Sequence, residues 1–402
     1  MDCKSISQRV FDGRSSTKHL KRPIAFIRNV FTGYAFQEML LSSDYHPDNT
    51  YCYSVDKYST TGIFENLQIL SKCLPNVILN PTRYYFNSRG RFQSRAQFKC
   101  LEFSLNRTWR HALFLQNHDL VLKPADHLSE FSELLNDTSA MFFEDPHEGW
   151  YPKDADWTPA GLKLFKSEAE VSQAILHKPL RVWKGFNEII VSRVFIESMF
   201  DKLNLEEIMN LFDQRKRQQS QNAGVPLNRQ LSFSDASEQD DFSFGQDIQR
   251  DEQLFTERAS QFYGVDEMLL QTLYRNYLGL EGQPTSNCTN FVPDTIIRWT
   301  DWTNRGTSGT FYEFCKSKLE RHWICIMGVE YLADFMNTNF VIANKVLENY
   351  DVGPVICLKE LFQKNEIKKR ITRDDLQNYP QFREMEMKHF GTYEKDDFQC
   401  NK

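Results

Sequence analysis

The sequence predicts an α/β fold in which a central mixed, mostly parallel sheet is flanked by helices. Short apolar segments typical of strands alternate with longer segments whose apolar residues recur at helical spacing. This alternation, at intervals that suit strand–helix–strand units, favours a sheet that is parallel at its centre. A chain of 402 residues, with 41% hydrophobic and 25% charged residues, is also long enough to bury the core that such a sheet needs.

The first third of the chain contains the clearest alternation. Its apolar runs of strand length are each followed by a run that suits a helix. The predicted strands cover residues 23–28, 51–55, 77–79 and 112–115, and the predicted helices between them cover residues 33–42, 63–73 and 96–105.

Changes of composition divide the chain. Residues 1–22 are polar and basic and resemble the end of a stem, residues 23–360 form the main domain, and residues 361–402 form a charged tail. Within the domain, residues 214–257 have few apolar side chains and no sustained period. This segment is predicted to be a disordered or extended surface insertion.

Charge and cysteine content exclude several classes of protein. With 48 basic and 54 acidic residues the net charge is −6, whereas a nucleic-acid binder is usually basic, so no nucleic acid is expected as a partner. The nine cysteines include no C-x-x-C pair and no Cys/His cluster at metal-ligand spacing. The cysteines, together with sequons at Asn106, Asn136 and Asn287, favour the secretory pathway. No apolar run of about 18 residues that would span a membrane is found.

Three acidic motifs are candidates for chemistry. Asp56 follows the strand at 51–55, where an open α/β sheet binds ligands, although such a residue also caps turns. Asp266 and Glu267 precede an amphipathic segment, a position that suits a catalytic carboxylate but also complements a helix dipole. Asp154 and Asp156 have the spacing of a metal-binding D-x-D motif, but they lie in a loop rich in Pro and Trp, so no metal is expected there.

A series of short motifs extends over residues 23–360. They are Thr-Tyr-Cys-Tyr-Ser-Val-Asp-Lys at 50–57, Cys-Leu-Pro-Asn-Val at 73–77, Gln-Phe-Lys-Cys at 97–100, Trp-Arg-His-Ala-Leu-Phe-Leu-Gln-Asn-His-Asp at 109–119, Val-Ser-Arg at 191–193, Val-Asp-Glu at 265–267, Arg321 with Cys325, and Ala-Asn-Lys at 343–345. In content and order this series resembles the Core-2/I-branching family of glycosyltransferases, which add a sugar to a glycan from a UDP-sugar.

The resemblance implies a GT-A-like fold and an inverting reaction that uses no metal or other cofactor. Glu267 would be the catalytic base and Asp266 an orienting neighbour. Arg321 and Lys345 would stabilise the departing diphosphate in place of a divalent ion, because Arg offers a planar fork and Lys a compact charge to phosphate oxygens. The alternative for both cations is a solvated surface charge.

The first half of the chain would recognise the nucleotide sugar. Val55 and Asp56 would contact uracil or ribose, and Asp119 would face the donor sugar. A turn-capping role is equally open for each Asp. Trp109 and His111 are expected to serve as core and hydrogen-bond scaffold.

The strand at 183–193 departs from the family's pattern. Phe186, Asn187 and Glu188 replace the usual residues, which leaves the acceptor open. Glu188 would either bind sugar hydroxyls or be an edge-strand charge.

The cysteine pattern departs as well. Cys315 and Cys325 are close enough in sequence for a local disulfide loop, although Arg321 lies one residue further from Cys325 than in the family. Gln116 stands where the family has a Cys, so Cys73 is expected to be unpaired. A pair between Cys3 and Cys100 is the second candidate.

The predicted function is transfer of a sugar, GlcNAc above all, from a UDP-sugar to Gal or GalNAc of an O-glycan or glycoprotein. The alternatives are xylosyl transfer to a proteoglycan and an inactive glycan-binding homologue. The resemblance places the protein in the Golgi lumen as a type II protein. Attachment to a membrane is expected only through an N-terminal anchor that this sequence does not contain.

Overall fold

A computed structural model describes residues 2–11, 18–86, 89–213, 263–284, 296–302, 315–377 and 382. The predicted insertion at 214–257 and the sequon at Asn287 lie outside these residues.

The centre of the molecule is a five-stranded sheet. Its strands are β1 (Ile24–Val30), β2 (Thr50–Val55), β3 (Val77–Leu79), β4 (His111–Leu115) and β6 (Ile190–Ser192), in the spatial order β3-β2-β1-β4-β6. β1 pairs in parallel with β2 and β4, β2 pairs in parallel with β3, and β6 is antiparallel to β4. The predicted α/β fold is therefore confirmed, and it is consistent with the GT-A-like fold that the resemblance implies.

Helices connect the parallel strands and cover the sheet. The described helices are α1 (Cys3–Phe11), α2 (Tyr34–Asp44), α3 (Thr61–Cys73), α4 (Gln93–Ser104), α5 (Ala125–Leu135), α6 (Gln173–Leu176), α7 (Arg193–Lys202), α8 (Glu206–Asp213), α9 (Leu269–Arg275), α10 (Leu332–Asn337), α11 (Gly353–Gln363) and α12 (Arg373–Leu376). Consecutive residues of a strand face opposite sides of the sheet, so both faces need apolar cover. Ala25 and Ile27 of β1 belong to one core cluster, while Ile24 and Phe26 belong to another.

Two small sheets adjoin the central one. β5 (Leu120–Val121), β10 (Ile342–Ala343) and β7 (Arg298–Trp299) form a three-stranded sheet with β10 in the middle. β8 (Glu320–Arg321) and β9 (Ile324–Cys325) form an antiparallel hairpin. Because β5 follows β4 after a turn at 116–119, this turn joins the small sheet to the large one.

The N-terminal segment contributes to the packed domain. In α1, which lies within the segment expected to be stem-like, Ile6 and Val10 are fully buried, and Cys3 is bonded to Cys73 of α3. The expectations of a Cys3–Cys100 pair and of an unpaired Cys73 are therefore wrong. Cys100 instead pairs with Cys52, since β2 and α4 pack directly on each other. The predicted Cys315–Cys325 bridge is present.

The start of the charged tail is also packed, since Leu376 of α12 is fully buried. In the described part of the chain, no helix has the length and apolarity needed to cross a membrane.

Candidate active site

Asp266 and Glu267 lie on a short 3-10 turn, Val265–Glu267, that leads into α9. The carbonyl of Glu267 accepts a hydrogen bond from Gly185 N at 2.8 Å, and Val265 N donates to Arg89 O at 3.2 Å. The turn begins at Gly264, whose φ of +62° favours glycine and where a Cβ would lie 2.8 Å from Glu267 Oε2. The main chain thus fixes both carboxylates, and Gly264 leaves room for one of them.

Glu267 forms an ion pair with Lys184. The distance from Lys184 Nζ to Glu267 Oε2 is 3.1 Å, and the Glu267 side chain remains 21% exposed. Burial raises the pKa of Glu267, while Lys184 and Arg298 pull it back down. The carboxylate is therefore reachable by a substrate hydroxyl and is held among cations.

Asp266 is directed towards β6 rather than outwards. Its Oδ2 accepts hydrogen bonds from Asn187 Nδ2 at 2.5 Å and from Gln116 Nε2 at 3.4 Å. Burial, and after it the charge of Glu267, raises the pKa of Asp266 to about 7. This arrangement fits the expected role of an orienting neighbour.

The three residues that replace the family's usual ones, at positions 186–188, all contact other residues of the candidate site. Asn187 binds Asp266, and Glu188, which is 2% exposed, accepts a hydrogen bond from Arg298 Nη1 at 2.7 Å. Phe186 lies beneath the Arg298 guanidinium, 4.9 Å from it. Glu188 is thus a buried partner of an arginine, and neither interpretation from the sequence, sugar ligand or edge charge, describes it.

A chain of hydrogen bonds runs from Arg298 to Asp119. Arg298 Nη2 donates to Asn344 Oδ1 at 2.8 Å, and Asn344 Nδ2 donates to Asp119 Oδ1 at 2.7 Å. Asp119 also accepts from Gln116 N at 2.5 Å and is fully buried. Asp119 therefore caps its turn and positions the residue before Lys345.

Lys345 is half-buried beside other cations. Burial, followed by the charges of Arg321 and Arg298, lowers the pKa of Lys345 to about 7. Among the residues that the structure describes, none accepts a hydrogen bond from its ammonium group. His118 is buried in the same cluster, and burial together with Lys345, Arg321 and Arg28 holds its pKa well below the ordinary value. Neighbouring cations therefore help to lower the pKa of both groups, and a bound anion would oppose that effect.

Arg321 lies at the end of β8, next to the two-residue turn of the hairpin. Both turn residues, His322 and Trp323, have positive φ, at 54° and 63°, as a type I′ turn requires. The extra residue between Arg321 and Cys325 thus closes a tight turn, and the bridge from Cys315 to Cys325 holds its base.

Of the two residues predicted to contact the nucleotide, Val55 is fully buried and its side chain belongs to the core. Asp56 follows it and accepts hydrogen bonds from Tyr58 N at 2.6 Å and Phe86 N at 3.2 Å. Burial raises the pKa of Asp56 to about 7. In this structure Asp56 acts as a turn cap at the carboxyl end of β2.

The remaining candidates stay outside the site. Asp156 accepts hydrogen bonds from Thr158 in an exposed turn, and no group of three or more potential metal ligands occurs among the described residues. Trp109 Nε1 donates to Ser104 O at 2.7 Å, and His111 Nδ1 lies 2.6 Å from Ser132 Oγ, as expected of scaffold residues.

Lys184 and Arg298 are not among the site residues predicted from the sequence. Each is a cation inside an apolar segment, Lys184 between Trp183 and Gly185, and Arg298 after Ile296 and Ile297. A buried cation needs an anionic partner, so an isolated Lys or Arg in a predicted strand was the signal that could have identified both.

The arrangement places a partly exposed carboxylate and a cluster of cations around Arg298, which influences both Glu267 and Lys345. Such a site can accept a proton at one end and bind an anion at the other. The model of the Core-2/I-branching enzyme family matches residues 24–334, a range that includes Glu267 and Arg321 and ends before Lys345. A search of curated proteins gave no match. The chain therefore belongs to the Core-2/I-branching enzyme family of glycosyltransferases.

Proposed function

We propose that the protein is an inverting, metal-independent transferase that moves GlcNAc from UDP-GlcNAc to a hydroxyl group of a glycan. One observation carries this proposal: the charge of Arg298 acts on both the partly exposed Glu267 carboxylate, where it opposes the burial that raises the pKa, and the Lys345 ammonium, whose pKa it lowers. Transfer to a glycan hydroxyl needs a base and a site for a leaving diphosphate close together.

The reaction would proceed by a single displacement. Glu267 takes the proton of the acceptor hydroxyl, and the acceptor oxygen bonds to the anomeric carbon of the donor sugar. The bond from that carbon to the β-phosphate oxygen breaks on the opposite face, and its electron pair leaves with UDP. Arg321 and Lys345 stabilise the charge that develops on the diphosphate, as a divalent ion does in other transferases.

The acceptor is proposed to be Gal or GalNAc of an O-glycan. Xylosyl transfer to a proteoglycan serine is the alternative within the same chemistry. An inactive glycan-binding homologue is the alternative of another class, favoured by the replaced residues at 186–188. Against inactivity stands the contact that Asn187 makes with Asp266, which integrates the replaced strand with the proposed catalytic pair.

A donor panel tests the proposal. Purified protein is incubated with UDP-GlcNAc, UDP-GalNAc or UDP-xylose, with glycan acceptors and with or without EDTA. Transfer from UDP-GlcNAc that persists in EDTA is the expected result. Transfer from UDP-xylose alone would favour the first alternative, and activity that EDTA abolishes and Mn²⁺ restores would overturn metal independence. Glycan binding without transfer or UDP-sugar hydrolysis would favour the inactive homologue.

The Golgi lumen is the proposed location. Three disulfides among the described residues and an exposed sequon at Asn106 suit an oxidising, glycosylating compartment. The test is whether the Asn106→Gln variant loses an N-glycan when the protein is expressed in a secretory host. An unglycosylated wild-type protein with free thiols would contradict this location.

A further inference from the structure

Lys184 has no role in the reaction described above, although its ammonium group lies against the proposed base. Three oxygen atoms surround Nζ: Glu144 Oε1 at 2.9 Å, Gly185 O at 3.1 Å and Glu267 Oε2 at 3.1 Å. The contacts with Glu144 and Gly185 are hydrogen bonds, and the contact with Glu267 is an ion pair. The protein therefore supplies Lys184 with three oxygen partners, of the three that an ammonium can serve as donor.

The backbone around Lys184 is as fixed as its side chain. Lys184 N donates to Glu144 O at 2.9 Å, and Glu144 N donates to Lys184 O at 2.7 Å, which joins the two residues as neighbouring strands. The next residue, Gly185, donates from its N to the carbonyl of Glu267. One short segment thus holds both the main chain of Glu267 and the cation that meets its side chain.

The ion pair also distinguishes the two oxygens of Glu267. Oε2 faces Lys184, whereas no described residue donates a hydrogen bond to Oε1. The side chain is 21% exposed, and Oε1 is its carboxylate oxygen that does not pair with Lys184.

We propose that Lys184 is a positioning residue, which keeps Glu267 ionised and aims its Oε1 at the acceptor, while Glu144 limits this effect by sharing the ammonium. The role assigned to Glu267 rests on the proposed function. The coupling between Lys184 and Glu267 does not, and it is measured separately below.

The other charged and titratable groups near Glu267 decide the sign of each substitution. Arg298 acts in the same direction as Lys184, and Glu188 acts against both. Asp266 and Tyr263 lie close enough that the Glu267 charge raises the pKa of each. Lys184 and Glu144 are chosen for substitution because neither is proposed to contact the substrate.

The charge that each substitution removes determines the direction in which the pKa of Glu267 shifts. Glu267 works as a base only when ionised, so kcat/KM falls as pH falls through its pKa. In Lys184→Met the opposite charge is gone, the pKa of Glu267 rises, and the acid limb moves to higher pH by about one unit or more. In Glu144→Gln the ammonium is no longer shared, so the limb moves to lower pH. Lys184→Arg keeps the charge and should restore most of the wild-type limb.

The experiment combines pH–rate profiles with a direct titration. The ¹³Cδ signals of labelled Glu are followed from about pH 3 to about pH 9, a range that brackets ordinary and raised Glu pKa values. The Glu267 signal is identified by its absence in Glu267→Gln. Lys153→Met is the matched control, because Lys153 pairs with Glu148 on the surface at 2.9 Å and neither residue has a proposed role. The control should titrate as the wild type does.

Each outcome decides one claim. Opposite shifts in Lys184→Met and Glu144→Gln, with the control unchanged, support the proposal. A Glu267 midpoint that is the same in the wild type and both variants overturns it, and a rate loss that is equal at every pH shows a structural role only. If Lys184→Met does not fold, Glu144→Gln still tests the sign. Shifted midpoints in a protein without transfer activity would overturn the proposed function and leave the coupling standing.

Discussion

Lys345 is a residue whose charge changes near neutral pH. Its pKa is lowered to about 7, by burial first and then by Arg321 and Arg298. An ammonium must be protonated to bind a diphosphate, so in the free enzyme this binding group is progressively lost as pH rises through about 7.

UDP affinity should therefore weaken between about pH 6 and about pH 9, a range that spans this pKa. Lys345→Ala should remove most of that dependence. It should also raise the Kd at low pH about tenfold or more, since a hydrogen bond to a charged group contributes about 1.5–3 kcal/mol. Calorimetric titration with UDP measures both effects. An affinity that is unchanged in Lys345→Ala would contradict the role of Lys345.

Gly264 is the residue that makes room for the base. Gly264→Ala places a side chain at φ +62° and a Cβ 2.8 Å from Glu267 Oε2. Gly149→Ala is a matched control, because Gly149 has φ +81° and open space where its Cβ would be.

Both glycine variants should lose about 1–2 kcal/mol of unfolding free energy through the left-handed conformation. Only Gly264→Ala should also lose transfer activity, because it displaces the carboxylate. Denaturant unfolding and initial rates give the two quantities. Equal activity of the two variants would show that Glu267 is not held against Gly264.

The hairpin of β8 and β9 is the element that presents Arg321. Its turn residues occupy the left-handed region without being glycine, a conformation that surrounding structure must enforce. The Cys315–Cys325 bridge supplies that constraint at the base of the hairpin.

A variant with both Cys315→Ser and Cys325→Ser should lose about 2–3 kcal/mol of stability, the contribution expected from closing a loop of this length. Its affinity for UDP should fall as well, because an arginine fork must be oriented to match phosphate oxygens. Cys357→Ser is the control, since Cys357 forms no disulfide. An unchanged Kd in the double variant would separate the bridge from the site.

Among the secondary-structure elements, the sequence predicts those strands and helices whose apolar residues recur with a regular period. The strands at 51–55 and 112–115 each begin one residue earlier in the structure, and the helix at 63–73 begins two residues earlier. The two-residue strands β7 and β10 could not be predicted, because they have no period and exist only through pairing with other strands. The hairpin turn was hidden for a similar reason: His322 and Trp323 are not typical residues of a type I′ turn.

In the candidate site, the residues that could be predicted from the sequence are those that belong to a sequence motif. Glu267, Asp266, Arg321 and Lys345 stand in recognisable sequence contexts. Lys184 does not, because its partner Glu144 is 40 residues away and neither residue forms a motif with Glu267. Whether such a charged residue needs a partner depends on its burial, and burial is known only once the chain is folded.

At the scale of the whole molecule, two sheets meet at the turn that contains Asp119. The large sheet supplies Glu188 and Asn187 just before β6, and the small sheet supplies Arg298 and the segment leading to Lys345. The link from Arg298 through Asn344 to Asp119 ties them together. The proposed base and the proposed diphosphate site therefore belong to different parts of the fold and are held in register by buried hydrogen bonds.

The disulfides show why long-range pairing was partly mispredicted. Cys3–Cys73 joins two helices through residues that are 70 positions apart in sequence, and Cys52–Cys100 joins a strand to the helix that covers it. Sequence spacing suggests only local bridges such as Cys315–Cys325, because the connectivity of distant cysteines follows from the topology.

The most direct test of the account compares the wild type with Glu267→Gln, in the presence of EDTA, for sugar transfer and for UDP binding. The substitution keeps the shape of the side chain and removes the proton acceptor. The wild type should transfer sugar, and the variant should be slower by about 100-fold or more. The two proteins should bind UDP with similar affinity. Near-normal turnover by Glu267→Gln would contradict the account.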